Sequence, residues 1–171
     1  MNNPNPGGLA LRSARAADVR PIRALVEPYV ETRTLVAKPA VSYYETVQEF
    51  IVAEDDSRVV GCGALHVMWE DVAEVRTLAV DPGQKGRGLG GRLLETLIVR
   101  ARDLGVQRVF CLTFEVAFFE SYGFREIDGD AVTPDVYVEM LQSYDDGVAE
   151  FLGLERVKPN TLGNTRMLLE L

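Results

Sequence analysis

One stretch of the sequence decides the fold: Ala73-Glu-Val-Arg-Thr-Leu-Ala-Val80, then Asp81-Pro-Gly-Gln84, then Lys85-Gly-Arg-Gly-Leu-Gly-Gly-Arg92. The first part has the apolar composition of a strand, and Asp-Pro-Gly is typical of a turn. Leu89–Leu104 then repeats apolar residues at helical spacing, and Gly105 is placed to cap that helix. The stretch therefore predicts a strand, a glycine-rich turn and an amphipathic helix in succession.

The glycine-rich turn predicts a site for an anionic ligand. Four glycines stand among residues 86–91, and glycine lets the backbone approach a ligand closely. The first turn of the following helix adds unpaired N–H groups and a partial positive charge, which together suit a pyrophosphate. Lys85, Arg87 and Arg92 concentrate positive charge here, in a chain whose net charge is −8.

Several identities compete for this turn. A Walker phosphate-binding loop needs a Lys-Ser or Lys-Thr pair after its last glycine, and none follows here. Gly86, Gly88 and Gly91 fit the dinucleotide-binding pattern. However, five residues separate the strand from the first glycine, and no acidic residue ends the next strand. A glycine-rich turn that binds no ligand is a further alternative.

The rest of the sequence predicts an α+β domain around one sheet, because strands and helices follow one another without strict alternation. No repeat or long linker divides the chain. The predicted strands are Leu9–Ser13, Phe50–Ala53, Val59–Met68, Arg108–Thr113 and Arg166–Leu171. The predicted helices are Ala17–Val26, Ser42–Phe50 with Ser42 as its N-cap, Val116–Tyr122, and one from Thr133 to about Tyr144.

Composition excludes several classes of protein. The chain is 47% hydrophobic and 26% charged, as globular proteins are, and its apolar runs are too short to cross a bilayer. The net charge of −8 argues against a nucleic-acid binder. With one histidine and no Cys/His cluster at zinc spacing, no metal site is expected. Cys62 and Cys111 lie in apolar runs, which predicts buried, reduced thiols in a cytoplasmic protein.

The glycine-rich turn resembles motif A of the GNAT acetyltransferases. The family pattern Gln/Arg-x-x-Gly-x-Gly/Ala stands here as Lys85-Gly-Arg-Gly-Leu-Gly90. Lysine at the first position is a mild departure, because backbone amides do most of the binding in this family. The second family motif is matched by Phe118-Phe-Glu-Ser-Tyr-Gly-Phe124. The resemblance implies the GNAT fold, a central mixed β-sheet flanked by helices, and acetyl-CoA as co-substrate.

Within that superfamily the chain resembles the short actinobacterial amino-acid N-acetyltransferases that make N-acetylglutamate for arginine biosynthesis. The segments that carry this resemblance are 34–38, 61–66, 74–80, 109–115 and 158–166. It implies acetylation of the α-amine of L-glutamate or L-glutamine, with a small amino acid rather than a nucleic acid or a membrane as the partner. Dimers are common in the family, so a homodimer is compatible with the resemblance. We expect a flexible tail at residues 1–8 and a single GNAT domain over residues 9–171.

The resemblance also implies site residues. Glu74 lies where GNAT enzymes often place a catalytic glutamate, which would take a proton from the acceptor ammonium. The alternative is that Glu74 and Arg76, which strand alternation puts on one face unless a bulge intervenes, pair with each other or face solvent. The residues expected to bind the cofactor are Leu78, Ala79, Val80, Lys85, Gly86, Arg87, Gly88, Leu89, Gly90, Phe119 and Tyr122. Those expected to bind the substrate are Lys38, Arg76, Asn164 and Arg166.

Two questions stay open at the level of sequence. Many family members protonate the departing thiolate with a tyrosine, but the aligned residue here is Phe119, so Tyr122, Ser121 or a water would have to substitute. Two other functions also fit the motifs. One is acetylation of another small amine or a protein N-terminus, and the other is a non-catalytic acetyl-CoA-sensing module. The cations Lys38 and Arg166 argue against polyamine or aminoglycoside acceptors.

Overall fold

The computed structural model describes residues 8–154 and 163–171. Apart from Gly8, the tail predicted over residues 1–8 lies outside the described residues, as do residues 158–162 of the segment 158–166. The strands are β1 (Ala10–Ser13), β2 (Phe50–Asp55), β3 (Arg58–Trp69), β4 (Val72–Val80), β5 (Arg108–Thr113), β6 (Arg125–Glu126) and β7 (Thr165–Glu170). The α-helices are α1 (Val19–Glu31), α2 (Ala40–Glu45), α3 (Leu89–Asp103), α4 (Val116–Glu120), α5 (Pro134–Met140) and α6 (Asp146–Phe151).

The strands form a mixed seven-stranded sheet in the order β1-β2-β3-β4-β5-β7-β6. The pairs β1–β2, β2–β3, β5–β7 and β6–β7 are antiparallel, whereas β4 and β5 are parallel. The parallel ladder runs from Val72 opposite Arg108 to Glu74 opposite Phe110. Glu74 is therefore the last residue of β4 in that ladder. The predicted α+β fold with a central mixed sheet is confirmed.

The chain divides into two compact units, each with its own hydrophobic core. The first unit comprises the described residues up to Leu65 together with Thr77–Val99, and the second comprises His66–Arg76 and the described residues from Arg100 onward. In the first core, α1 packs on β2 and β3, and its buried members include Val19, Ile22, Val26, Phe50, Val52, Cys62 and Ala64. In the second core, β5 meets α5 and α6, through Val72, Phe110, Met140, Val148, Phe151 and Leu152.

The helix after α1 differs from the prediction over Ser42–Phe50. It begins at Ala40, and Pro39 rather than Ser42 is its N-cap. Proline is tolerated at this position because the N-cap has extended backbone geometry and its N–H makes no hydrogen bond within the helix. The helix ends at Glu45, since Phe50 belongs to β2, where it is buried.

The segment that decides the fold matches its prediction closely. Strand β4 leads through a 3₁₀ turn at Pro82–Gln84 to α3, and Gly105 follows α3 with a φ of 81° that suits a glycine cap. Within β4, Thr77 has a φ of 56°, which β-branched residues resist. This break follows Arg76, so alternation still places Glu74 and Arg76 on one face.

Candidate active site

A buried carboxylate, Glu74, stands at the centre of the candidate active site. The residue is 5% exposed, and burial of a carboxylate requires a charged or hydrogen-bonded partner. Arg76 supplies it: its Nε and Nη2 donate to Glu74 Oε2 at 2.9 and 2.5 Å. The pairing that the sequence left open is therefore present. Both donors reach the same oxygen, so Arg76 holds the carboxylate through Oε2.

Arg76 also binds a second carboxylate, Asp145, which lies 69 residues later in the chain. Its Nη1 and Nη2 donate to Asp145 Oδ2 and Oδ1 at 3.1 and 2.8 Å. Desolvation alone would raise the pKa of Asp145, but the hydrogen bonds and charge of Arg76 hold that pKa at about 2, below its ordinary value of 3.8. Desolvation also opposes the charge on Arg76, yet the two carboxylates raise the pKa of this guanidinium above its usual range.

The backbone of α6 approaches this ion cluster at Gly147. A Cβ added to Gly147 would lie 2.2 Å from Glu74 Oε2 and 2.6 Å from Arg76 Nη2, too close for any other residue. Asp145 is the N-cap of α6, and its Oδ1 accepts from the Val148 N–H at 3.1 Å. The same oxygen of Asp145 therefore caps α6 and binds Arg76.

A third acidic group, Glu150, lies on α6 three residues after Gly147 and hence on the same face of the helix. Its side chain is half-buried. Desolvation, followed by the negative charges of Glu74 and Asp146, raises the pKa of Glu150 from 4.5 to about 7. Glu150 therefore changes its charge near neutral pH, beside a carboxylate of the site.

The glycine-rich turn, in the first unit, is open and exposed. Gly86 and Gly88 have φ angles of 77° and 74°, in the region that glycine occupies without strain. A Cβ added to either would meet nothing within 4 Å, so a ligand can come close to the backbone there. Helix α3 follows directly, with a bond from the Arg92 N–H to the Gly88 carbonyl at 3.1 Å. Its first N–H groups therefore point towards the turn.

The predicted cations of the turn, Lys85, Arg87 and Arg92, are all exposed. Lys85 Nζ lies 5.1 Å from the centre of the Tyr29 ring, within the range of a cation–π interaction. The Tyr29 hydroxyl also donates to the Val80 carbonyl at 2.5 Å. Tyr29, which the sequence analysis did not single out, thus fastens α1 to the end of β4 and to the turn. Its sequence signal is that of any aromatic residue on an amphipathic helix.

The remaining residues predicted to bind the cofactor fall into two groups. Those in the first unit, with the turn, are Leu78, Ala79, Val80, Leu89 and Gly90. The second unit holds Phe119 and Tyr122. Phe119 is buried between Phe118 and Phe124, with both pairs of ring centres 5.1 Å apart and edge to face. Tyr122 is half-buried against Phe118.

The residues predicted to bind substrate are also divided. Arg76, Asn164 and Arg166 lie in the second unit with Glu74, whereas Lys38 lies in the first, between α1 and α2. Arg166 donates to the carbonyl groups of Phe151 and Gly129. Within the described part of the chain, Arg166 Nε and Asn164 Oδ1 are buried without a hydrogen-bond partner. Such orphaned atoms are uncommon in folded proteins.

The described residues offer no group of three or more His, Cys, Asp or Glu side chains arranged to hold a metal ion. In that same part of the chain, no helix is long and apolar enough to cross a membrane. Cys62 and Cys111 are free, buried thiols, as predicted. Burial raises the pKa of Cys62 to about 12 and also raises the pKa of Cys111 above its ordinary range.

Comparisons with known proteins bear on what this arrangement does. The model of the Acetyltransferase (GNAT) family matches residues 20–124. A curated amino-acid acetyltransferase of Mycobacterium tuberculosis is 54% identical over 164 residues, which cover 94% of this chain and 94% of the relative. A curated amino-acid acetyltransferase of Neisseria meningitidis is 32% identical over 71% of this chain but only 28% of its own length.

Two solved structures extend the comparison to the fold. Rv2747 from Mycobacterium tuberculosis, in complex with CoA and NLQ, matches with a TM-score of 0.90 and 54% identity over 95% of this chain and 99% of the other. N-acetylglutamate synthase from Neisseria gonorrhoeae, complexed with coenzyme A and N-acetyl-glutamate, matches with a TM-score of 0.77 and 25% identity. That match covers 96% of this chain and 35% of the synthase.

The raised pKa of Glu150 predicts a pH-dependent stability difference for Glu150→Gln. Folded Glu150 keeps its proton up to about pH 7 and the unfolded chain only up to about 4.5. The wild-type chain therefore loses stability through this group as the pH rises between those values. Glutamine removes that loss, so the Tm of the variant relative to wild type should be more favourable at pH 8 than at pH 5.

Thermal unfolding of Glu139→Gln provides the control. Glu139 is an exposed carboxylate on α5, so its variant measures what the same substitution does at a solvent-exposed position of this fold at each pH. Equal Tm differences at pH 5 and pH 8 for Glu150→Gln would contradict the assignment of a raised pKa to Glu150.

Proposed function

Because the chain belongs to the GNAT acetyltransferase family, we propose that it transfers the acetyl group of acetyl-CoA to the α-amine of L-glutamate or L-glutamine. The observation that carries this proposal is the whole-length similarity to the Mycobacterium tuberculosis amino-acid acetyltransferase, at 54% identity over 94% of both chains. The synthase structure with coenzyme A and N-acetyl-glutamate supports the same class of acceptor. The reaction would be the first step of arginine biosynthesis, in the cytoplasm.

The residues around the glycine-rich turn fit the phosphates of a CoA thioester. Gly86 and Gly88 leave space at the backbone, and the first N–H groups of α3 offer donors and a partial positive charge. The exposed side chains of Lys85, Arg87 and Arg92 add charge. When bound, acetyl-CoA supplies the acetyl group as an activated thioester. The backbone of Leu78–Val80 would bind the pantetheine arm and offer an N–H to the thioester carbonyl.

Glu74 acts as the general base of this reaction. An ammonium has no lone pair, so the acceptor amine must lose a proton before it can attack the thioester. Arg76 holds Glu74 through Oε2, so we assign Oε1 as the oxygen that takes the proton, directly or through one water. The amine then bonds to the acetyl carbon and the carbon–sulfur bond breaks. The nitrogen loses a second proton to form the amide, and the departing CoA thiolate takes up one proton. Phe119 has no proton to give, so we assign the Tyr122 hydroxyl as the donor of the proton that the thiolate takes up.

The acceptor's carboxylate needs cationic and polar partners. Arg76 already serves two protein carboxylates, so we assign this role to Asn164 and Arg166 of the second unit, and Lys38 stays a prediction from the sequence. The Arg166 Nε–H, which has no hydrogen-bond partner among the described residues, supports the assignment, since the carboxylate of a bound ligand can accept from it.

One observation favours a second acceptor class. The negative charges of Glu74, Asp146 and Asp145 all raise the pKa of Glu150 and the charge of Arg76 opposes them, so several acidic groups lie near Glu74. Acidic surroundings attract an amine that carries a second positive charge instead of a carboxylate. A polyamine is therefore the alternative acceptor that the experiments must include.

Release of CoA thiol across a panel of amines tests the proposal. The panel contains L-glutamate, L-glutamine, other amino acids, a polyamine, an aminoglycoside and a peptide. We expect turnover with glutamate or glutamine, and Glu74→Gln should lower kcat by about 100-fold or more because a general base is lost. Turnover confined to a cationic amine would replace the proposed acceptor. Tight acetyl-CoA binding without turnover of any amine would indicate a sensing module.

The cofactor site is tested by Gly88→Ala, with Gly105→Ala as its matched control. Both glycines have positive φ and open space at Cβ, so each alanine should cost about 1–2 kcal/mol of folding free energy. Only Gly88 lies in the turn assigned to the phosphates. We expect calorimetry to show weaker acetyl-CoA binding for Gly88→Ala and unchanged binding for Gly105→Ala. Equal affinities for the two variants would remove the turn from the cofactor site.

A further inference from the structure

A guanidinium shared by two carboxylates links Glu74 to a distant part of the chain. Arg76 makes four hydrogen bonds, two to Glu74 Oε2 and one to each oxygen of Asp145. Without Asp145, Arg76 would be held by one oxygen of Glu74 and could rotate about it. With Asp145, the plane of the guanidinium is fixed at two edges, which also fixes the direction from which Glu74 is held.

Asp145 is itself held in place by its own surroundings. Its N–H donates to Ser143 Oγ at 3.1 Å, and its Oδ1 accepts from the Val148 N–H at 3.1 Å. His66 Nε2 lies 4.0 Å from Asp145 Oδ2. The carboxylate that orients Arg76 is thus fixed by the start of α6, with His66 of β3 nearby.

The rest of α6 is packed firmly enough to act as a support. Phe151, at its C-terminal end, is fully buried and packs edge to face on Phe110 at 5.1 Å. Arg166 donates to the Phe151 carbonyl, which satisfies one of the acceptors left at the end of a helix. At the other end, the missing side chain of Gly147 lets the backbone lie against Glu74. Helix α6 therefore contacts the carboxylate both directly and through Arg76.

We propose that Asp145 is a positioning residue for acetyl transfer, which acts through Arg76 to hold Glu74 in the geometry needed to take a proton from the acceptor amine. The proposal rests on Glu74 being the base in the proposed function. It does not depend on which amine is the acceptor. A proton acceptor displaced by a fraction of an ångström transfers protons poorly, so loss of Asp145 should lower the rate of the reaction more than the binding of substrates.

The chain contains a matched control for this ion cluster. In the first unit, Arg12 Nη1 and Nη2 donate to Asp18 Oδ2 and Oδ1 at 2.7 and 2.9 Å, and Arg12 also bonds to Glu54. This is again one arginine between an aspartate and a glutamate. Asp18→Asn therefore breaks an equivalent set of contacts without touching any residue assigned to the reaction.

The test compares Asp145→Asn with Asp18→Asn in steady-state kinetics and thermal unfolding, using whichever panel amine the wild-type protein acetylates. Both variants should have a lower Tm. For Asp145→Asn we expect kcat to fall by about 10- to 100-fold, with KM for acetyl-CoA within about twofold of wild type. Asp18→Asn should keep its kcat. Asp145→Glu, which restores the charge, should recover part of the lost kcat.

A double-mutant cycle with Glu74→Gln shows whether Asp145 acts through Glu74. Once the base is gone, Asp145→Asn should cause little further loss of kcat, so the two effects should not add. Full additivity would overturn the proposal, as would equal losses of kcat in Asp145→Asn and Asp18→Asn.

A crystal structure of Asp145→Asn gives an independent readout if the wild-type protein acetylates no amine of the panel. That result would remove the proposed function but would not decide the positioning role. A shifted Glu74 carboxylate in the variant would support the role of Asp145. Unchanged positions of Glu74 and Arg76 would overturn it.

Discussion

The Arg76 guanidinium, held between Glu74 and Asp145, is the interaction on which the candidate active site depends. Moving each of these charges from water into the protein interior costs several kcal/mol. Their hydrogen bonds and mutual attraction offset that cost only while all three are present. Removal of one partner from such a buried cluster destabilises proteins by about 3–5 kcal/mol. Burying a carboxylate to this degree beside the end of a strand ladder costs folding free energy. The proposed proton transfer is a functional reason for keeping it there.

The close approach of α6 to Glu74 is part of the same ion cluster. Gly147 lets the helix backbone reach Glu74, and the side chain of Asp145 both caps the helix and binds Arg76. Glu150, on the same face of α6 as Gly147, then adds a third carboxyl group near Glu74. Acidic groups therefore lie around the proposed base, and the carboxylate of an amino-acid acceptor has to be bound away from them. Asn164 and Arg166 are the residues to which we assign that task.

The strand, turn and helix of the proposed cofactor site could be predicted from the sequence because their signals are local. Asp81-Pro82-Gly83, the clustered glycines and the apolar spacing of α3 all act within about one element. The pairing of Glu74 with Arg76 could also be anticipated from the sequence, since alternation puts residues two apart on one face of a strand. The sequence could not decide between a base and an ion pair, however. The structure contains the ion pair, and the base role is our proposal.

The contacts that Asp145, Gly147 and Tyr29 make could not be predicted from the sequence in this way. Helix α6 has only six residues and a glycine near its start, so neither periodicity nor propensity predicts it. The one local signal is Asp145 at the N-cap position. Its partner Arg76 lies 69 residues away, and only folding brings them together. Arg166 is different. Its segment carries part of the family resemblance in the sequence, but the sequence did not indicate that two of its nitrogens donate to backbone carbonyls.

A crystal structure with CoA and the acetylated amino acid would show whether Arg76 stays bound to Glu74 when the site is occupied. We predict that Arg76 keeps its hydrogen bonds to Glu74 and Asp145, while the acetylated nitrogen lies within reach of Glu74 and the ligand's carboxylate binds away from Arg76. An Arg76 that has left Glu74 to bind the carboxylate of the ligand would contradict it. In that case Arg76 would be a substrate residue, and the buried ion cluster would be only the resting state of the site.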